Sequence, residues 1–274
     1  MTIALSLACE SQSSEIMATE NLDQDVTGGE VEPPSSLPQA LFTPSATPSE
    51  TPLGLVPFPH DLYRDEQGQL KLTGFPNQSG VLADLVQELE SSTRGFGTTS
   101  GFFVSFADQI DESLLPVDGG ESLRDNSTLS LVDIDPDSNE RGRRWPIYWR
   151  YNETETAYLP PHTLSVRLLE GIALRADTTY ALIVTDEIAS ASETSQMMFA
   201  DAPPAEESLS QLWSTYEPLR TWLSSLEEGA PSLAGASIFT TQDPISELFS
   251  LRDFVHSLPA PNAREIESLG VQRG

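Results

Sequence analysis

Leu164–Ser190, LSVRLLEGIALRADTTYALIVTDEIAS, decides how the rest of the chain is read. Leu164, Val166 and Leu168 alternate with Ser165 and Arg167; further on, Tyr180, Leu182 and Val184 alternate with Ala181, Ile183 and Thr185. A period of two puts every second side chain on the same side of an extended backbone. Both runs therefore read as strands with one face on a core, joined by a tight corner.

The same period extends outward. Phe102, Val104 and Phe106 mark another strand, and Thr128–Ile134 with Trp145–Tyr151 reads as a hairpin-like pair around a long polar loop. Upstream, Phe58-Pro59 and a polar turn at Asp65–Gly68 give an irregular lead-in, followed by a short strand at Leu70 and Leu72. Leu82, Leu85, Val86 and Leu89 instead recur at helical spacing and predict an amphipathic helix over 79–91. After Ala200 the period turns helical. Leu209, Leu212, Trp213, Tyr216, Leu219, Trp222, Leu223 and Leu226 predict a helix over 206–226, kinked or split by Pro218. Gly235–Gln242 reads as a strand, and Asp243-Pro244 opens a further helix over 245–256 with Asp243 at the N-cap and Pro244 at the first helical position. The expected fold class is mainly β with added helices: an antiparallel β-sandwich over about 98–190, capped by α-helices packed on or beside it.

Charge narrows the function. Against 42 Asp and Glu the 274-residue chain sets only 14 Lys and Arg, a formal charge of −28. Such a chain repels phosphate backbones and anionic headgroups, so nucleic acid is excluded as a partner. The single cysteine, Cys9, rules out a disulfide framework and a Cys-based metal site. It stands between the apolar run Ile3–Ala8 and the acidic, serine-rich Glu10–Glu15, the order found where a bacterial lipoprotein signal ends. Residues 1–9 then form a signal remnant and Cys9 is the candidate lipidation site, anchoring the protein to a membrane; the competing reading is a chance cysteine near the start of the chain. Residues 10–54 are Ser, Thr, Pro, Glu and Asp with scattered single hydrophobes, and are expected to be a disordered, extended tether. A domain over 55–200, a helical cap or linker over 201–258 and an unstructured tail over 259–274 complete the expected organisation.

Gly171, Ile172, Leu174, Thr178, Thr179 and Tyr180 resemble the closing hairpin of bacterial Ig-like domains, lacking the proline usual in that phrase, and Asp111–Pro116 resembles the element after that family's first strand. At a larger scale, FPHDL (58–62), SGFFVSF (100–106) with the D-x-S-L of Asp111–Leu114, LVDIDPDSNERGRR (131–144), LRADTTYALIVTDEI (174–188) and ASIFTTQDPISEL (236–248) occur in an order that resembles the amino-terminal region of large bacterial lipoprotein lipases and esterases. The resemblance spans residues 55–256 and implies an Ig-like accessory module ahead of an α/β-hydrolase domain. Phe239-Thr240-Thr241-Gln242 sits where that family's module hands over to the catalytic domain. The G-x-S-x-G elbow that such a hydrolase needs does not occur in the chain, so no catalytic residue is assigned and the expected product is an accessory module from a truncated or split gene. Two alternatives stand beside it: a stand-alone surface-binding or adhesion lipoprotein, and a hydrolase whose active site the sequence does not reveal.

Three other features invite a site. Asp133, Asp135, Asp137 and Asn139 alternate as in a calcium loop, but Ser138 and Arg144 occupy the positions where such a loop has its glycine and its bidentate glutamate, so a solvated hairpin loop with ion pairs is expected. His60, His162 and His256 are too scattered for a zinc set. Trp145, Ile147, Trp149 and Tyr151 share one strand face, read as core, and Tyr148 and Arg150 share the other. No metal or cofactor is expected.

Overall fold

The computed structural model describes residues 36–47, 50–76, 79–226 and 229–259. It is a mixed sheet-and-helix fold with nine strands among the described residues, β1 Gln39–Ala40, β2 Phe102–Ser105, β3 Leu129–Asp133, β4 Arg144–Trp145, β5 Ile147–Asn152, β6 Thr163–Leu168, β7 Thr179–Thr185, β8 Ser190–Ala191 and β9 Leu233–Thr240. The α-helices are α1 Val81–Ser92, α2 Glu193–Phe199, α3 Glu207–Thr215, α4 Glu217–Ser225 and α5 Ser246–Ser257. Two antiparallel sheets carry the body, one in the order β2-β6-β5 and the other β4-β3-β7-β9, while β1 and β8 form a short parallel pair.

The two strands of the deciding stretch are present, but they do not pair with each other. β6 lies at the centre of the three-stranded sheet, and β7 lies inside the four-stranded one, so the corner between them carries the chain from sheet to sheet rather than closing a hairpin. Gly171 and Asp177 take positive φ values of 83° and 48° to make this passage, conformations that a glycine adopts freely and an aspartate tolerates. The Tyr180 hydroxyl accepts from the backbone N–H of Arg175 at 3.0 Å, and Leu174 is buried as the corner's plug.

The pair expected around the polar loop is corrected in the same way. Leu131 and Val132 of β3 pair with Trp145 and Arg144 of β4, but the next residue is Pro146. Proline has no N–H to give a ladder. Beyond it Ile147–Asn152 leaves β3 and pairs with β6 in the other sheet. Pro146 thus serves as a one-residue switch, its carbonyl accepting from Leu169 N–H at 3.1 Å.

An aromatic row fastens the sheets together. Phe102 of β2 meets Phe239 of β9 at 5.2 Å between ring centroids, Phe239 stacks on Tyr180 of β7 at 5.9 Å, and Tyr180 meets Trp145 of β4 edge-on at 6.5 Å. Every residue of β3 is buried, as are both faces of β7 and β9 over most of their length, so a second cover is needed besides the facing sheet. The helical stretch supplies it through buried Met198, Leu212, Tyr216, Leu219 and Trp222. Pro218 splits the expected single helix into α3 and α4, with Tyr216 at the joint. The short α2 was not foreseen; the Ser192 hydroxyl caps it by accepting from Ser195 N–H.

Two expectations fail at the ends of the body. Order begins before residue 55: Ala40, Phe42 and Thr51 are buried, Leu41 N–H donates to Ser105 O at 2.9 Å, and β1 pairs with β8. Isolated hydrophobes in a Pro-rich stretch plug gaps that period-based reading does not register. At the other end, α5 does not cap the sheets, because each of its residues is exposed. It also starts at Ser246, later than expected, with the Asp243 carboxylate accepting from the N–H groups of Ile245 and Ser246. Cys9, the greater part of the expected tether and the tail beyond Pro259 lie outside the described residues.

Phe239 stands at the centre of the aromatic row and is fully buried. Phe239→Ala is expected to destabilise the fold by about 3–5 kcal/mol, read as a lowered midpoint in urea unfolding with an unchanged slope. A loss below ~1 kcal/mol would mean that the row does not join the sheets.

Candidate functional site

β9 is the last strand of its sheet, so the backbone groups on its outer side need partners from elsewhere. The segment FPHDL provides them. Asp61 accepts from Thr240 N–H at 2.9 Å through one carboxylate oxygen and from the Thr240 hydroxyl at 2.6 Å through the other. The carbonyl of Thr240 accepts from Phe96 N–H, and Gln242 N–H donates to Phe96 O. Tyr216, reaching down from the α3/α4 joint, donates its hydroxyl proton to Ala236 O at 3.2 Å. The Ser237 hydroxyl donates to Pro59 O.

His60 links these groups. Its Nδ1 accepts from Leu62 N–H at 3.0 Å, which leaves the ring proton on Nε2, and Nε2 donates to the Tyr216 hydroxyl at 2.9 Å. The result is a closed relay, Leu62 N–H to His60 to Tyr216 to Ala236 O, packed against Phe42 and Phe199. Burial lowers the imidazole to about 3, and it raises the Tyr216 phenol well above its ordinary value. Burial also raises the Asp61 carboxyl, opposed by the Arg64 guanidinium and the Thr240 hydrogen bonds.

Chemically this cluster resembles a base beside hydroxyls, yet its geometry is structural. Both ring nitrogens of His60 are engaged, the residue is fully buried, and Ser237 is bonded to a carbonyl rather than to the imidazole. A general base must reach a proton on a substrate. His60 reaches only Tyr216 and its own turn.

The other candidates separate. His162, in a positive-φ conformation, hydrogen-bonds to the Tyr151 hydroxyl at 3.0 Å, and His256 sits on exposed α5, so the three histidines share no site. In the acidic loop, Asp133 accepts from Asp135 N–H and the Ser138 hydroxyl, and Asp135 accepts from Asp137 N–H and Thr179 N–H. These carboxylates shape the loop and tie it to β7. Asp133 is fully buried rather than solvated, and burial raises its carboxyl. Among the described residues no group of three or more His, Cys, Asp or Glu is placed to hold a metal ion. The expected ion pairs are present, Glu140 bonding both Arg143 and Arg175, and the loop docks on α4 through Arg141 to Pro218 O.

The division of the aromatic strand holds: Ile147 is buried, Trp149 and Tyr151 are half-buried, and Tyr148 and Arg150 are exposed. Trp149 donates its indole N–H to Pro116 O at 2.7 Å. A cleft of about 830 Å³ opens between the end of α1 and the start of α5, lined by Gln69, Arg94, Asp177, Gln242 and Asp243 among others. Its mixture of guanidinium, carboxylate, amide and hydroxyl groups selects no single charge, and its one carboxylate-bonded hydroxyl, Ser246 on Asp243, belongs to the cap of α5, where Asp243 also accepts from the N–H groups of Ile245 and Ser246. No family model matches the chain, and no curated protein or solved structure matches it either.

Sequence reading missed Asp61, Tyr216 and Thr240 as partners, although FPHDL and ASIFTTQ each stood out as phrases. Their joint oddity was the available signal: a buried Pro-His-Asp and a strand of hydroxyl residues are both explained by one sealed edge.

His60 makes the seal sensitive to acid. The neutral ring of the folded state binds no proton between pH 6.5 and about 3, whereas the unfolded ring, with its ordinary value of 6.5, does. Stability contributed by this group is therefore present above 6.5 and is lost as pH falls toward 3, with a limiting slope of about 1.4 kcal/mol per pH unit. Asp61 and Asp133, raised by burial, act in the opposite sense, losing stability as pH rises. Urea unfolding of wild type and His60→Gln from pH 7.5 to 3.5 isolates the histidine. The variant is expected to start less stable and to show a shallower acid slope; identical slopes would mean that His60 is not held neutral.

Proposed function

We propose that the chain is a non-catalytic accessory module of Ig-like type, the lipid-anchored amino-terminal part of a bacterial cell-envelope lipoprotein related to lipases and esterases. The strand order carries the reading. Taken in chain order, β2-β6-β5 and β4-β3-β7-β9 correspond to B-E-D and C′-C-F-G of an immunoglobulin sandwich. Tyr180 supports it independently: near the start of the strand that corresponds to F, its hydroxyl bonds back to the backbone five residues upstream, as in the tyrosine corner of that fold.

The accessory role is supported by what the buried polar groups do. His60, Asp61, Asp133 and Ser237 each tie one part of the chain to another; Asp61 alone of the four lines surface clefts, and there both of its carboxylate oxygens are taken up by Thr240 and Arg64. In this reading the partners are a membrane, through a lipid on Cys9, and an α/β-hydrolase domain that performs the reaction. A diacylglyceryl thioether with an added amide-linked chain buries enough methylenes, at ~0.8 kcal/mol each, for stable anchoring where a single chain is marginal. Among the described residues no helix is long and apolar enough to cross a membrane.

Two measurements test the reading. Expressed in a bacterial host, the wild-type chain is expected to incorporate labelled palmitate and to sediment with membranes, and Cys9→Ser to do neither; equal incorporation in both would defeat the anchor. A fluorophosphonate probe is expected to leave the purified chain unlabelled. Stoichiometric labelling of one serine would replace the accessory reading with that of a serine hydrolase.

A further inference from the structure

α5 is a 12-residue helix with no buried residue. A helix of that length is marginal in water on its own and needs an apolar face covered to persist. Ile245, Leu248, Phe249, Leu251, Phe254, Val255 and Leu258 are between 48% and 65% exposed, a concentration of apolar surface that soluble monomers rarely show unless it is an interface.

The order of these residues says what fits on them. Read in reverse, the segment matches itself at its apolar positions: Ile245 falls on Leu258, Leu248 on Val255 and Phe249 on Phe254, with Ser246 on Ser257 between the first two pairs. Of the other pairs, Glu247 falls on His256, an acid on a base, Ser250 on Asp253, and Leu251 on Arg252. Leu248 and Val255 lie two turns apart on one line of the helix, with Ile245 and Leu258 flanking it on opposite sides. Arg252 does not block this seam, since its guanidinium lies over the Phe249 ring at 4.7 Å and pairs with Asp253 at 2.6 Å. In an isologous two-fold contact residue i meets residue j and j meets i, so an antiparallel pair sets these like apolar residues against each other and Glu247 of one copy against His256 of the other.

We propose that α5 is a self-association helix, through which two copies of the chain pair antiparallel about a two-fold axis between Leu251 and Arg252. The inference does not depend on the accessory reading. Charge fits it as well: in a chain of net charge −28, α5 holds Arg252 against Glu247 and Asp253, so two copies meet where repulsion is least. A single short helix per partner offers less than the about 800 Å² of a standard interface, and the association is accordingly in the micromolar range, about 1–100 µM. Because the two acidic bodies repel, salt tightens the dimer, the reverse of a charge-driven contact.

Sedimentation velocity on the full chain, carrying Cys9→Ser so that lipid plays no part, tests this. The mass is expected to rise from 29.8 kDa toward twice that value over about 1–100 µM, and further with added sodium chloride. Leu248→Ser with Val255→Ser is expected to weaken dimerisation at least about tenfold, and Leu85→Ser, at an exposed apolar position on α1, to leave it unchanged. On mild oxidation Leu251→Cys should give a disulfide-linked dimer. Ile245→Cys should not, since 13 residues at 1.5 Å per residue hold its two copies about 20 Å apart. A monomer at ~100 µM in high salt, a dimer indifferent to the Leu248 and Val255 changes, or cross-linking at 245 instead of 251 would each overturn the proposal.

Discussion

The free side of β9 is the constraint on which the rest of the structure depends. An outermost strand in a buried position leaves N–H and C=O groups without water and without a neighbour, and each unmet group costs on the order of 1–3 kcal/mol. Here the deficit is met by three separate parts of the chain. Asp61 and Phe96 serve Thr240, and Tyr216 serves Ala236. The lead-in, the connection after α1 and the α3/α4 joint are all held in place by the same strand, which explains why irregular segments flanking the sheets are buried and ordered. The seal also removes an edge that would otherwise be a template for pairing with another chain.

The helices and sheets solve one problem together. Strands β3, β7 and β9 are buried on both faces, a condition more usual in sheets flanked by helices than in antiparallel sheets with one face in water. Small residues make this possible on the second face: Ala181 of β7 and Ala234 and Ala236 of β9 are fully or almost fully buried and leave room for the bulky side chains of the helical stretch. Gly142 adds to this at the loop, where a Cβ would approach the Trp222 indole nitrogen at 3.3 Å. The three-stranded sheet has no such cover, and its outward residues Tyr148, Arg150 and Arg167 remain exposed.

Strand existence was legible from the period of two because a strand's faces differ in solvent contact whichever sheet it joins. Pairing was not. The alternation in Leu164–Leu168 and Tyr180–Val184 is the same for a hairpin and for two strands of different sheets, and only the eleven residues between them, with their two positive φ values, distinguish the cases. Pro146 lies inside the strand expected over Trp145–Tyr151, and a period of two carries no mark of the passage between sheets made there. The helix split at Pro218 followed from proline's missing N–H, whereas α2, β1 and β8 are too short to establish any period. At the sealed edge, the sequence displayed both halves, FPHDL and ASIFTTQ, without the distance between them. Hydrogen bonds across such a separation have no local signature, so Asp61 reads only as part of an irregular lead-in and Tyr216 only as one apolar position of a helix.

That separation governs how the molecule is made. The bond from His60 to Tyr216 joins residues 156 positions apart, and Asp61 to Thr240 spans 179. Loop closure of this size brings no reward until the intervening strands have paired, so these contacts belong to the end of folding. During synthesis the lead-in can meet β2 through Phe58 and Phe103, but Asp61 must wait for its partner until β9 has left the ribosome. A stalled or shortened translation product ending before Thr240 would therefore hold most of the core residues yet lack the strand that locks its own beginning, and quality control would meet it as an open sheet.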